Sequence, residues 1–91
     1  MILCAFCNRQ SYAGFYTRPP MCEKHFDLVL IGERLAREGK FVSATTLIQA
    51  YRELPSESRA GLHLTEEVIP GLFAEIREKN FSFNRPKEGA R

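Results

Sequence analysis

The chain has 91 residues, enough for one domain with a small hydrophobic core. Hydrophobic residues make up 44% of it and charged residues 26%, a globular composition that argues against an intrinsically disordered chain. The formal net charge of +2 is too small to predict nucleic-acid binding by itself, and no apolar run approaches the length of a membrane-spanning helix.

The three cysteines all lie within the first 22 residues, and two of them form a CxxC pair. An odd number of cysteines does not suit a secreted disulfide framework, and the N-terminus lacks the pattern of a secretory signal. We therefore expect a reducing, cytoplasmic compartment in which the thiolates bind metal. A redox-active CxxC is the alternative. That motif usually lies between a strand and a helix of a βαβ unit, which this sequence does not predict.

Four side chains of metal-binding type form two pairs near the start of the chain. The first pair is Cys4 and Cys7 in the segment CAFC, and the second is Cys22 and His25 in the segment CEKH. Thiolate and imidazole ligands in this number favour tetrahedral zinc, and four protein ligands leave no open position for a catalytic water. The sequence therefore predicts a structural Zn²⁺ site.

A β-hairpin is predicted between the two ligand pairs. Residues 10–17 are rich in strand-forming side chains, with Ala13-Gly14 as a plausible turn. Pro19-Pro20 should end the second strand because proline cannot donate to a ladder of hydrogen bonds.

The first helix should begin near Met21 or Cys22 and run to about Glu38. Ligands three residues apart would then project from one face of its first turn. Gly39 should cap the C-terminal end in the left-handed conformation. Gly32 lies inside the helix, where glycine is unfavourable, and could permit the close approach of another element.

Two further helices are predicted downstream. The second should span Ala44 to Leu54, with Ser43 as its N-cap and a proline directly after it. The segment from there to Leu64 reads as a polar loop with one helical turn at residues 56–59. The third helix should span Glu66 to about Lys79 with Thr65 as its N-cap, and Pro70 should kink it or shift its start.

These elements predict an α+β fold with an N-terminal zinc module followed by two helices and a tail. We expect one zinc-stabilised domain over residues 1–80, made of a zinc module (1–40) and a helical part (41–80). Residues 81–91 are expected to form a partly disordered basic tail, with Phe81 and Phe83 able to dock on the core.

The order of knuckle, hairpin and helix resembles the treble-clef class of zinc fingers over residues 1–38. The resemblance implies that Cys4 and Cys7 are knuckle ligands and that Cys22 and His25 are helix ligands, and it identifies no family within the class. Nucleases of the HNH type share this architecture and need a histidine in the hairpin. The hairpin SYAGFYTR contains none, so we expect a protein that is not an enzyme.

The predicted function is that of a small regulatory protein that binds nucleic acid or the transcription machinery. Basic and aromatic side chains alternate around the zinc module, a mixture that can contact phosphates and stack on bases. Alternatively, the aromatic side chains only cover the metal site. The candidate contact residues are Arg9, Arg18 and Lys24 in the module and Arg85 and Lys87 in the tail.

The alternative function is a protein–protein adaptor or inhibitor that contains structural zinc and does not contact nucleic acid. Such a protein could form a homodimer through the apolar faces of the second and third predicted helices. The lone His63, in a polar loop, is expected to face solvent or cap a helix rather than to catalyse a reaction.

Overall fold

The computed structural model of the protein describes residues 2–11, 13–15, 18–79, 81 and 83, with the backbone alone described at 13–15 and 18. Two short strands and four helices follow one another along this part of the chain. They are β1 (Ala13–Phe15), β2 (Arg18–Met21), α1 (Glu23–Arg37), α2 (Ala44–Glu53), α3 (Ser56–Ala60) and α4 (Ile69–Glu78).

Strands β1 and β2 pair in antiparallel fashion, with Ala13 opposite Met21 and Phe15 opposite Arg18 and an irregularity between them. The predicted turn at Ala13-Gly14 is wrong, because both residues belong to β1. Residues 16 and 17, which connect the strands, lie outside the described part of the chain, so the hairpin itself stays a prediction.

Pro19 and Pro20 lie inside β2, contrary to the expectation that they end a strand. Both strands of a two-stranded sheet are edge strands, where a residue without an N–H is tolerated. The carbonyl of Pro20 accepts a hydrogen bond from the Ala5 N–H at 2.8 Å. This bond ties β2 to the loop that contains the first cysteine pair.

Helix α1 has the predicted bounds to within one or two residues. Cys22 is its N-cap in an extended conformation, and Phe26 donates the first helical hydrogen bond to the Cys22 carbonyl at 2.8 Å. At the other end Gly39 adopts a φ of 82°, which confirms the predicted cap. The N–H groups of Gly39 and Lys40 donate to the carbonyls of Ala36 and Leu35, each at 3.0 Å, which is a Schellman motif.

The close approach considered at Gly32 is confirmed. Gly32 is buried in α1, and a β-carbon built there would lie 2.6 Å from the ring of Phe83. That ring also stacks on Phe73 at 6.4 Å between centroids and meets the edge of Phe81 at 5.1 Å. The glycine therefore makes room for the aromatic residues that follow α4.

Substituting Gly32 should give stability changes of opposite sign in two backgrounds. In a Phe83→Ala background, Gly32→Ala should raise the free energy of unfolding by about 1 kcal/mol through helix propensity. In the wild-type chain the same substitution should lower it by up to about 2 kcal/mol, because displacing a packed ring costs about 1–3 kcal/mol and this cost opposes the same gain in helix propensity. Urea denaturation measures both values. The control is Gly71→Ala in α4, where a β-carbon meets no atom of the described residues within 4 Å. An equal gain at Gly32 in both backgrounds would contradict the packing described.

Helix α2 begins as predicted. The Thr46 N–H donates to Ser43 Oγ at 3.2 Å and the Ser43 N–H donates to Thr46 Oγ1 at 2.8 Å, which together form a capping box. The helix ends at Glu53, one residue earlier than predicted, because Leu54 is extended before Pro55. The helical turn expected in the following loop is present as α3.

Helix α4 starts three residues later than predicted, and Thr65 is not its N-cap. Residues 66–68 form a turn, in which the Val68 N–H donates to the Thr65 carbonyl at 3.2 Å. Pro70 lies in the first turn of α4, where its missing N–H loses no helical hydrogen bond. The expected shift of the helix start at Pro70 is therefore confirmed.

Helices α1, α2 and α4 pack against one another around one hydrophobic core. Leu28, Leu47, Ile69 and Ile76 are completely buried in it, and the same cluster includes Cys4, Phe6 and Met21 from the N-terminal segment. The apolar faces of α2 and α4, suggested as a dimer interface, are used for packing within the chain. Among the described residues, no helix has the length and apolar character needed to cross a membrane.

Candidate metal centre

Backbone hydrogen bonds hold the first cysteine pair in a closed loop. The Cys4 N–H donates to the Arg9 carbonyl and the Ser11 N–H donates to the Ile2 carbonyl, both at 2.8 Å. Leu3 and Gln10 form an isolated antiparallel bridge across the loop. These bonds and the bond from Ala5 to β2 bring Cys4 and Cys7 to the N-terminal end of α1, where Cys22 and His25 lie.

The four predicted ligands form one cluster. The three sulfurs and the His25 nitrogen lie within 4.8 Å of one another. Nδ1 of His25 is 3.3 Å from Cys22 Sγ and 3.5 Å from Cys4 Sγ, and the sulfurs of Cys7 and Cys22 are 3.8 Å apart. Around a tetrahedral zinc ion, two sulfurs would be about 3.8 Å apart and a sulfur and a nitrogen about 3.6 Å apart. The donor atoms therefore fit a tetrahedral metal ion.

The cluster is largely closed to solvent. Cys4, Cys22 and His25 are buried, and Cys7 is half-buried. The Phe6 N–H points at Cys4 Sγ at 3.4 Å, which is the backbone-to-sulfur contact expected of a knuckle. A buried set of four ligands is typical of a structural metal site rather than of one with an open coordination position.

The pKa values of the cysteine thiols indicate which protons a metal ion must displace when it binds. Burial and the neighbouring sulfurs raise the pKa of Cys7 to about 11, although a backbone hydrogen bond opposes them. Burial alone would raise the pKa of Cys4, but hydrogen bonds, led by the one from Phe6, leave this pKa below its ordinary value. Metal binding at neutral pH must therefore release protons, at least from Cys7.

Burial lowers the pKa of His25, although the nearby Glu75 carboxylate opposes this effect. The imidazole is therefore favoured in its neutral form, the form that coordinates metal. Its second nitrogen, Nε2, lies 2.9 Å from Glu75 Oε1 on α4. The ring also packs against Phe6 at 5.3 Å between centroids, and Phe6 in turn meets the edge of Phe81 at 5.8 Å.

Two of the predicted contact residues lie beside the cluster. Arg9, which is exposed, and Lys24, which is half-buried, both line a cavity of about 350 Å³ and a second one of about 290 Å³. The acidic residues Glu23, Glu67 and Glu75 line parts of the same two cavities. The side chain of Arg18 and all of Arg85 and Lys87 lie outside the described part of the chain.

His63 connects the loop before α4 to α1. Its N–H donates to Asp27 Oδ2 at 2.9 Å, its Nδ1 is 3.1 Å from the same oxygen, and its Nε2 is 3.3 Å from Glu23 Oε1. The ring is about half exposed, which agrees with the predicted solvent-facing position. His63 is not one of the four residues of the metal-binding cluster.

Sequence reasoning missed Glu75. More than half of the chain separates it from His25, and no motif connects the two positions.

A search with protein-family models, curated proteins and solved structures finds no significant match to this chain.

Proposed function

We propose that this chain is a zinc-stabilised binding protein without enzymatic activity. The observation that carries the proposal is the cluster of Cys4, Cys7, Cys22 and His25, whose donor atoms are spaced for tetrahedral coordination. Zinc suits three thiolates and one imidazole, and four protein ligands leave it no site for a substrate. When bound, the ion contributes stability and supplies no chemistry.

The order of the elements around the cluster supports a treble-clef-type zinc finger as the finer description. The first ligand pair lies in a loop, two short antiparallel strands follow, and the second pair lies at the start of a helix. Metal analysis of purified protein should find one zinc per chain. A protein that contains no zinc and keeps its fold in a strong chelator would overturn the proposal.

We propose nucleic acid as the binding partner, through the surface beside the metal centre. Arg9 and Lys24, which come from separate segments, line the same two cavities, so that their charges can act on one phosphate group. The acidic residues that line these cavities repel phosphate, so we expect a modest affinity for nucleic acid. Binding should depend on the contacts of these two side chains with phosphate groups more than on the net charge of the protein.

Salt dependence of binding tests this partner. In a titration of duplex DNA or RNA, the logarithm of the binding constant should fall linearly with the logarithm of salt concentration, by about 0.9 for each duplex phosphate contacted. Because Arg9 and Lys24 are proposed to act on one phosphate, the double variant Arg9→Ala/Lys24→Ala should reduce this slope by about 0.9. The control, Arg34→Ala/Arg37→Ala at the far end of α1, should leave it unchanged. No binding to duplexes or single strands at low salt would refute this partner.

The exposed ring of Phe41 favours a second candidate, a protein–protein adaptor. Phe41 is 73% exposed, and it borders a cavity of about 260 Å³ lined by Phe73, Phe81, Phe83 and Arg77. Aromatic and arginine side chains of this kind are common at the centres of protein interfaces. An adaptor should retain a partner in a pull-down at high salt, and Phe41→Ser should release that partner.

A further inference from the structure

We infer that Glu75 is the outer-sphere partner of His25, so that helix α4 is part of the metal centre. This inference rests on the proposed zinc site. It assigns to Glu75 a positioning role: the carboxylate holds the imidazole proton on Nε2 and leaves the lone pair of Nδ1 to the metal.

The two nitrogens of His25 face different groups. Nδ1 lies 3.3–3.5 Å from the sulfurs of Cys22 and Cys4, whereas Nε2 lies 2.9 Å from Glu75 Oε1. A neutral imidazole that coordinates through Nδ1 must carry its proton on Nε2. Because His25 is 0% exposed, water cannot accept a hydrogen bond from this proton. An acceptor has to come from the protein.

Glu75 is the side chain at the right distance. Its oxygen is not aligned well enough for a hydrogen bond to Nε2, and no other described side chain makes one. The Glu75 side chain is 45% exposed, so its carboxylate has room to rotate onto the N–H. The backbone carbonyl of Leu72, one turn earlier in α4, is the competing acceptor for this proton.

An outer-sphere carboxylate has two effects on a metal site. It fixes the tautomer and orientation of the histidine, and it makes the coordinating nitrogen more basic. Here the carboxylate is carried by α4, whose Leu72 and Ile76 are buried in the core on either side of it. Metal binding and the docking of α4 should therefore stabilise each other by the same factor.

The test is zinc affinity, measured by competition with a chromophoric chelator. Loss of an outer-sphere partner typically weakens metal binding about 10- to 100-fold, and we expect this for Glu75→Ala. Glu75→Gln keeps an oxygen acceptor without the charge and should lie in between. The matched control is Glu67→Gln, an exposed carboxylate on the same cavity, which should bind zinc as the wild type does.

Two further measurements separate positioning from simple packing. Denaturant unfolding of the zinc-bound variants should show a larger loss of stability for Glu75→Gln than for Glu67→Gln, although glutamine keeps the size and packing of glutamate at both positions. In the zinc-bound wild type, nitrogen NMR of His25 should show the proton on Nε2, and Glu75→Ala should change the signal of that proton. If Glu75→Ala folds poorly, the comparison of Glu75→Gln with Glu67→Gln decides.

The outcomes distinguish failure of the Glu75 inference from failure of the proposed zinc site. Wild-type protein that binds one zinc, with unchanged affinity in both Glu75 variants, would overturn the inference and favour the Leu72 carbonyl as acceptor. An unchanged NMR signal of the Nε2 proton in zinc-bound Glu75→Ala would also overturn it, since Glu75 would then act only in packing. Wild-type protein that binds no zinc would refute the proposed function itself.

Discussion

Replacing Cys22 by serine is expected to abolish stoichiometric zinc binding and to unfold the N-terminal half of the chain. Structural zinc sites contribute on the order of 10 kcal/mol of binding free energy. Small domains have a total stability of about 5–15 kcal/mol, so a loss of this size cannot be absorbed. Cys22 is also the N-cap residue of α1, but its side chain makes no capping hydrogen bond and serine is a favoured N-cap, so the variant should report the loss of the predicted metal ligand. Native mass spectrometry measures the zinc content and circular dichroism measures the loss of structure.

The effect of Cys22→Ser should be reproduced by treating wild-type protein with a chelator, and the variant should not respond further to chelator. Gln10→Ala is the control, because its exposed side chain lies on the same loop while its backbone bridge to Leu3 is kept. It should retain one zinc per chain. A Cys22→Ser protein that stays folded without metal would show that the hydrophobic core alone holds the N-terminal segment.

Truncating Leu47 to alanine is expected to lower the free energy of unfolding by about 2–5 kcal/mol. Leu47 is completely buried on α2 in the core shared by α1 and α4, and its removal leaves a cavity among rigid neighbours. Urea denaturation of zinc-bound protein measures the change. Gln49→Ala, on the exposed face of the same helix, should change stability by less than about 0.5 kcal/mol.

Unlike Cys22→Ser, the Leu47→Ala variant should still bind one zinc per chain under native conditions. The loss of stability would then come from the cavity in the core and not from loss of a ligand, although Leu47 and the cysteines belong to one hydrophobic cluster. A Leu47→Ala variant that loses zinc at temperatures where it remains folded would contradict this prediction.

The features that the sequence predicts well are those set by a few neighbouring residues. The ligand pairs and the N-cap at Ser43 follow from short patterns, and the Gly39 cap needs only one residue that tolerates positive φ. At α4 two local signals compete. Thr65 with two acidic residues favours an early helix start, but Pro70 cannot donate to the carbonyl four residues earlier, and the helix begins at Ile69.

The features that the sequence does not predict depend on contacts between distant segments. Pro19 and Pro20 are acceptable in β2 because the strand is paired on one side only, which no local pattern indicates. The contact of Glu75 with His25 depends on how α4 packs on α1, and the ring of Phe83 at Gly32 depends on the same packing. Short patterns in the amino-acid sequence do not indicate which distant segments come into contact.

The closing of the metal centre by distant residues has a consequence for synthesis of the protein. The ribosome makes the chain from its N-terminus, so all four ligands emerge before α4 and Phe81 exist. During that interval the thiols are without the segment that later covers His25 and Phe6. A nascent chain stalled before α4 should therefore exchange zinc faster than the finished protein, and its cysteines should react faster with alkylating reagents.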